Sequence, residues 1–301
     1  MTALTANVIA DNAVTIVDGL AFGVLLFVIA LGLSLVFGVM DVLNLAHGAI
    51  YLVGAYIAVA LIGGGTTLTL VAFVGAIIAA AVIGGLGGWG LSAMVRPVAG
   101  RGHLDQALLT LGIALVVADL ISMQFGNEVQ TIPAPTGLDG SATIFGQSYP
   151  VYRLVVIVVG GLLAVGALYV IERTRVGSLV RASVVDPEMV SALGVDTKKL
   201  VAGVFAAGAA LAAAGGVIGG PILSAYPGLD NHVLLLGLVV VVIGGLGSVS
   251  GALVGALLIG QIETLGVSLL PSHASFLVFG AMGLVLLLRP QGLLGQKEAP
   301  A

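Results

Sequence analysis

No lysine or arginine occurs before Arg96, although more than seventy residues of mostly apolar sequence precede it. Runs long enough for a ~30 Å hydrocarbon core recur through the rest of the chain. Only 8% of residues are charged and the mean hydropathy is +1.22, which excludes an ordinary soluble domain. In lipid every backbone N–H and C=O must be satisfied inside the protein, so the runs are either helices or strands of a closed barrel. They do not alternate as barrel strands do, which leaves helices. The expected fold is all-α: one polytopic bundle of membrane helices over residues 1–301, with broken helices.

Spans are expected at residues 14–39, 45–62, 68–94, 104–125, 151–171, 200–223, 233–243, 252–270 and 275–288. That makes nine crossings, within a range of eight to ten. The seventh, at eleven residues, is short for a bilayer. Nine of the ten basic residues fall in three groups: Arg96 with Arg101, five within residues 172–199, and Arg289 with Lys297. Lysine and arginine favour the cytoplasmic side, so the N-terminus is expected outside and the C-terminus inside. Arg153, at the start of an apolar run, is expected to snorkel to the opposite interface. Residues 126–150 then form the longest external loop.

The 172–199 stretch holds nine of the 24 charged residues, ten basic and fourteen acidic in all, and must sit in water beside the membrane. Its middle has helix punctuation. Asp186 can cap a helix, Pro187 fits the first helical position, Glu188 suits the positive dipole end, and Gly194 can end it. The result is roughly two turns, about 10 Å long. Met189, Val190 and Leu193 are expected to share one face beside the small Ala192, and Asp196 to cap the next helix. A short capped helix with an apolar face at a membrane surface is suited to docking; a structured loop on lipid headgroups is the plainer alternative.

Two places break the apolar pattern. Residues 38–54 carry Asp41, Asn44 and His47 between spans, and residues 244–251 read GGLGSVSG. Each is expected to be a discontinuous helix, the kind of break at which transporters place polar groups. Asn44 and His47 are expected to line the path or brace the break, with Gly48 permitting close backbone approach. Asp119 and Glu263, near Gln124 and Gln261, are read as helix–helix hydrogen-bonding groups. Among the 46 glycines, the Gly208/Ala212/Gly216/Gly220 and Gly251/Gly255 spacings mark faces for tight helix packing.

Several classes are excluded or set aside. With no cysteine, a thiolate metal site and disulfides are impossible, and the four histidines show no HExxH spacing, so no metal site is expected. None of Lys198, Lys199 and Lys297 follows a glycine, so there is no phosphate-binding Gly-Lys-Ser/Thr loop and no nucleotide cofactor is expected. The N-terminus lacks lysine and arginine, which argues against a cleavable signal peptide. An ion-coupled secondary transporter would use Asp41, Asp119 and Glu263. An intramembrane serine protease would need glycine two residues before Ser250, where Ser248 stands.

Four blocks carry a family resemblance. They are GVMDVLNLAHGAIYLVGAYIA (38–58), RASVVDPEMVSALGVDTKKLVAGVFAAGAALAAAGGVIGG (181–220), IGGLGSVSGALVGALLIG (243–260) and RPQGLLG (289–295). In this order they resemble the permease subunits of high-affinity branched-chain amino-acid ABC importers of the LivH type. Asp41 departs from the pattern. The resemblance implies a multi-pass subunit of a prokaryotic cell membrane, with no catalytic residues of its own. It further implies a related second permease subunit, two ATP-binding subunits that hydrolyse the ATP, and an extracytoplasmic substrate-binding protein. Residues 172–199 would be the coupling loop, with Arg181, Asp186, Pro187, Met189, Ala192, Leu193 and Gly194 at the ATPase contact and residues 183–193 in its groove. Urea, short-chain amide and other amino-acid permeases share much of the pattern and stand as the alternative substrate classes.

Overall fold

The computed structural model describes residues 2–40, 44–62, 68–98, 101–144 and 146–295; Asp41 and Lys297 lie outside them. The order is α1 (Thr2–Met40), α2 (His47–Ile62), α3 (Leu70–Val95), α4 (His103–Phe125), β1 (Ser141–Ile144), β2 (Gln147–Pro150), α5 (Val151–Arg173), α6 (Arg175–Val185), α7 (Pro187–Ala192), α8 (Thr197–Leu223), α9 (Leu229–Gly244), α10 (Val249–Leu269) and α11 (Ala274–Leu288). Among the described residues, seven helical segments are long and apolar enough to cross a membrane: α1, α3, α4, α5, α8, α10, and α11 together with the 3-10 turn before it (Pro271–Leu288, 18 residues). With the shorter α2 and α9 they account for the nine expected spans.

Those two have 16 residues each, about 24 Å, less than a bilayer core. The seventh span is longer than its sequence indicated. Gly228, at φ 98°, closes the preceding turn, and Asp230 sits in the first turn of α9, where the helix dipole favours an acid. The 126–150 loop is not irregular throughout, because β1 and β2 form an antiparallel hairpin with Ala142 opposite Tyr149.

Packing contacts fix the relative directions of α1, α3, α8 and α10. α8 runs against α1, with Gly208 on Gly32 and Gly219 near Leu25. α3 runs against α8, with Gly84 on Ala209 and Gly88 on Phe205. α10 also opposes α1, from Gly23 on the Ala256 carbonyl to Gln261, whose amide donates to the Ile16 carbonyl at 2.9 Å. The bundle therefore has two ends. One bears the β-hairpin. At the other, the loop after α3 meets the start of α8, where the Arg96 guanidinium donates to the Lys198 carbonyl at 2.8 Å. Every described lysine and arginine except Arg153 lies at that second end.

Lipid supplies no hydrophobic force between apolar helices, so their association rests on close van der Waals approach. The expected small-residue face of α8 does this: Gly208, Ala212, Gly216 and Gly220 are all buried. A Cβ at Gly208 would stand 2.9 Å from the Gly32 carbonyl oxygen, and one at Gly54 on α2 would fall on the Ala213 carbonyl oxygen. Replacing a helix-interior glycine by alanine gains about 1 kcal/mol of propensity, whereas forcing a methyl group into a packed interior costs about 1–3 kcal/mol. At Gly54 the clash is with backbone and wins. Gly54→Ala should lower the thermal unfolding midpoint in detergent, while Gly161→Ala on α5, where a Cβ meets nothing within 4 Å, should leave it unchanged or raise it.

Candidate functional site

The break before α2 returns the chain into the bundle. The His47 ring nitrogen Nε2 lies 3.0 Å from the Ile29 carbonyl, eleven residues before the end of α1. At about 1.5 Å per residue, α2 starts roughly 16 Å back along α1. A carbonyl only accepts, so the imidazole carries its proton on Nε2. Backbone donors at such depth need protein partners, and they have them. Leu45 N donates to Thr110 Oγ1 on α4 at 3.1 Å, Ala46 N to Asn44 Oδ1 at 3.1 Å, and His47 N to the Asn44 carbonyl at 3.2 Å. The Asn44 side chain thus closes an Asx turn that starts the helix. Asn44 and His47 are both buried and both contact this chain's own backbone. Both side chains are thus engaged with the backbone of the break and of α1.

Gly48 gives the break its partner. A Cβ there would collide with the carbonyl oxygen of Asp230, in the first turn of α9. From this point α2 runs towards the hairpin end, with Tyr51 beside Gly215 and Gly219. α9 runs the other way, placing Gly237 against Ile29 and Leu33 and its following turn, at Gly247, against Gly38. Two helices therefore begin side by side inside the bundle and leave it in opposite directions, as in inverted-repeat transporters.

The second break consequently precedes α9, which corrects the expectation for residues 244–251. That stretch is the tight turn of the α9–α10 hairpin. Ser248 caps α10 through the Gly251 N–H at 3.0 Å, and Leu293 N and Leu294 N bond the carbonyls of Ile243 and Gly244 at 2.7 and 3.0 Å. Its glycines serve close backbone contact rather than a helix interruption. The true break has its own marks: Pro221 in the last turn of α8, Ser224 at φ 59°, and a bridge from Ala225 to Gln130 in the hairpin-bearing loop. Asp230, buried with Oδ1 unpartnered among the described residues, was not singled out in sequence; its signal was an acid two residues after a glycine, ahead of an apolar run.

Asp119 and Glu263 do not make the expected hydrogen bonds. Asp119 is exposed on α4, and among the described residues neither carboxylate has a hydrogen-bond partner. Arg153 does not simply snorkel. It forms an ion pair with Asp18, whose carboxylate also accepts from the Tyr149 hydroxyl at 2.7 Å. Burial and that bond push the Tyr149 phenol up from its ordinary range.

The segment at the basic end contains two helices where one was expected. Thr174 caps α6 by accepting from Gly177 N at 3.2 Å. Asp186 caps α7, accepting from Met189 N at 2.9 Å, with Pro187 at the start and Gly194 in the left-handed region (φ 84°) after the end. Asp196 caps α8 through Lys199 N at 3.1 Å; that bond, then the Lys199 charge, hold its carboxyl below the ordinary range. The expected apolar face divides. Met189 and Leu193, four residues apart, are 64% and 79% exposed, and Ala192 and Arg181 are exposed with them, but Val190 is buried at 4%. Ser183 also faces inward, its hydroxyl donating to the Val180 carbonyl at 2.8 Å.

Seven apolar segments long enough to span a bilayer and two shorter helices that start within the bundle define a multi-pass membrane protein. The chain belongs to the family described as branched-chain amino acid transport system / permease component, whose profile matches residues 15–288. It is 30% identical to the high-affinity branched-chain amino acid transport system permease protein BraD of Pseudomonas aeruginosa, over 94% of this chain and 95% of the relative. It is likewise 30% identical to LivH of Salmonella typhimurium, over 93% and 94% of the two chains. A probable LivH permease of Methanocaldococcus jannaschii is 29% identical, over 90% and 89%. No solved structure matches the chain significantly.

Bracing at the break is open to test. Asn44→Leu removes the acceptor of the Ala46 N–H and leaves a buried donor unpaired, a loss of about 1–3 kcal/mol. Asn44→Ser keeps a short acceptor. The thermal midpoint in detergent should fall clearly for the leucine variant and less for the serine variant; equal midpoints for all three proteins would show that the Asx turn does not hold the break.

Proposed function

We propose that this chain is the membrane-spanning permease subunit of an ATP-driven importer that moves branched-chain amino acids across a prokaryotic cell membrane. The observation that carries this reading is the family match over residues 15–288, together with relatives that share nearly the full length. A related second permease subunit, two ATP-binding subunits and an extracytoplasmic binding protein complete the assembly. ATP is bound by those partners and not by this chain. The basic end faces the cytoplasm, where Lys/Arg-rich loops belong, and the hairpin end faces the binding protein.

Within that assembly residues 172–199 form the coupling loop, and α7 is the part that docks on an ATPase subunit. Its geometry supports this. The helix is capped at both ends by its own residues, Asp186 and Gly194, so it holds its shape without a partner. Val190 anchors it, while Met189, Leu193 and Ala192 face outward; Arg181 on α6 is exposed beside it. A methionine adapts to a moving surface, and an alanine lets a partner approach. Asn44, His47 and Gly48 hold the start of α2 at the centre of the path-forming bundle rather than binding substrate themselves.

Two experiments test the proposal. Ala192→Glu would bury an unpaired charge at the contact, a penalty of several kcal/mol and hence more than tenfold in affinity. It should abolish copurification of the ATP-binding subunits and leucine uptake while leaving membrane insertion intact; retention of both would remove α7 from the mechanism. For orientation, the cysteine-free chain carrying Ser191→Cys, on exposed α7, should resist an impermeant thiol reagent in whole cells and react in inverted vesicles. Labelling from outside the cell would reverse the topology.

A further inference from the structure

At the hairpin end, α1, α5, α8 and α10 line an open cavity of about 430 Å³. That lies within the range of small-molecule sites. Its walls are of two kinds. Phe22, Leu223 and Val267 supply apolar surface, while Asp18, Arg153 and Glu263 bring charge to the same space. Two of these charges are already matched. Arg153 pairs with Asp18, and the Tyr149 hydroxyl donates to the same Asp18 oxygen, so the guanidinium is held in place. One of its donors is used in that pair, and a guanidinium has five. Glu263 is different: it is half-buried at the cavity wall, with no hydrogen-bond or ion-pair partner among the described residues. The cavity thus offers an uncompensated carboxylate, an oriented guanidinium and an apolar wall.

We propose that this cavity is a binding site for a small zwitterion, a primary ammonium beside an oxyanion with an aliphatic group attached. The ammonium pairs with Glu263, the oxyanion takes the free N–H donors of Arg153, and the aliphatic group lies on Phe22, Leu223 and Val267. A half-buried carboxylate with no partner in the chain can accept charge-assisted hydrogen bonds from an incoming ammonium. Two molecules carry this chemistry at such a place, a free branched-chain amino acid and the headgroup of an ethanolamine phospholipid. The amino-acid form rests on the importer reading above, because the cavity lies at the end where a binding protein would release its cargo.

The test uses the purified complex with its ATP-binding subunits, reconstituted in nanodiscs of phosphatidylcholine and phosphatidylglycerol. Titration calorimetry with L-leucine should show binding that Glu263→Gln weakens by at least about tenfold, the scale of a lost charge-assisted hydrogen bond. 3-Methylbutylamine and 4-methylpentanoate, each lacking one charged group, should bind more weakly than leucine. Val267→Phe, which fills the cavity without touching its charges, should weaken leucine binding as well and serves if the Glu263 variant does not fold. If phosphatidylethanolamine added to the discs abolishes leucine binding, and raises the thermal midpoint of the wild type but not of Glu263→Gln, the occupant is the lipid headgroup. If leucine and phosphatidylethanolamine both act alike on wild type and variants, the site is overturned. Uptake by wild-type proteoliposomes with the binding protein reports separately on the importer reading. Glu263-dependent leucine binding without uptake would sink that reading and leave the site, whereas uptake with unchanged binding in both variants would sink the site alone.

Discussion

The architecture depends on how closely the backbone of α8 approaches its neighbours. Gly208 rests on Gly32 of α1, Gly216 on the Tyr51 carbonyl of α2, and Ala209 and Ala213 fit beneath Gly84 of α3. Each contact brings main chain against main chain, which no residue larger than glycine on at least one side would permit. Because lipid does not drive apolar helices together, these approaches are the source of association. They also have a structural consequence. Helices of 16 residues cannot satisfy a bilayer alone, and their non-helical approaches would expose bare backbone to hydrocarbon. With α8 packed tightly against α1 and α2, the break before α2 is enclosed by protein, with Thr110 of α4 supplying one acceptor.

The two short helices are opposite in direction and also differ in chemistry. α2 begins from an Asx turn and a histidine bonded across to α1, and α9 begins after a left-handed glycine with an acid in its first turn. Their starts touch through Gly48 and the Asp230 carbonyl, so neither can shift along the bundle axis without displacing the other. Both positive helix ends consequently lie inside the protein, where the Asp230 carboxylate offsets part of that partial charge.

How much of this was legible follows from which forces act locally. Each long helix was readable from hydropathy, because lipid forces a continuous apolar run onto any helix that crosses it. The caps of α7 and α8 were readable for a similar reason: Asp186, Gly194 and Asp196 act on backbone groups within three residues of themselves. Distant partners were not. Glycine clusters announce close packing but not with what, so Gly244 and Gly251 read as a broken helix although they pack on each other across a hairpin. The Asp18–Arg153 pair joins residues 135 positions apart, and nothing in either local sequence points to the other. On α7 the sequence gathered Met189, Val190 and Leu193 onto one face, yet a helix of two turns spreads three such positions widely enough for Val190 to turn inward. Ser183 fell inside the expected contact only because α6, capped by Thr174, was not separated from α7.

α8 joins the exposed segment at one end of the bundle to the buried helix starts within it. Its first turn is capped by Asp196, three residues after the exposed Leu193, and Arg96 fastens that turn to the end of α3. Its last turn carries Pro221 and gives way at Ser224 to the break before α9. Between these points it is a continuous helix of 27 residues in backbone contact with α1, α2 and α3. Such a helix is stiff along its axis, while a small opening in the middle would separate main-chain surfaces that have no longer side chains to bridge the gap. Beyond the packed middle the chain turns at Ser224 and at the left-handed Gly228, with Ala225 between them buried and bridged to Gln130. These are the residues that position Asp230 against Gly48. The connection between the outer surface and the centre of the bundle is thus one continuous helix followed by a turn, and that turn is the place where α9 begins.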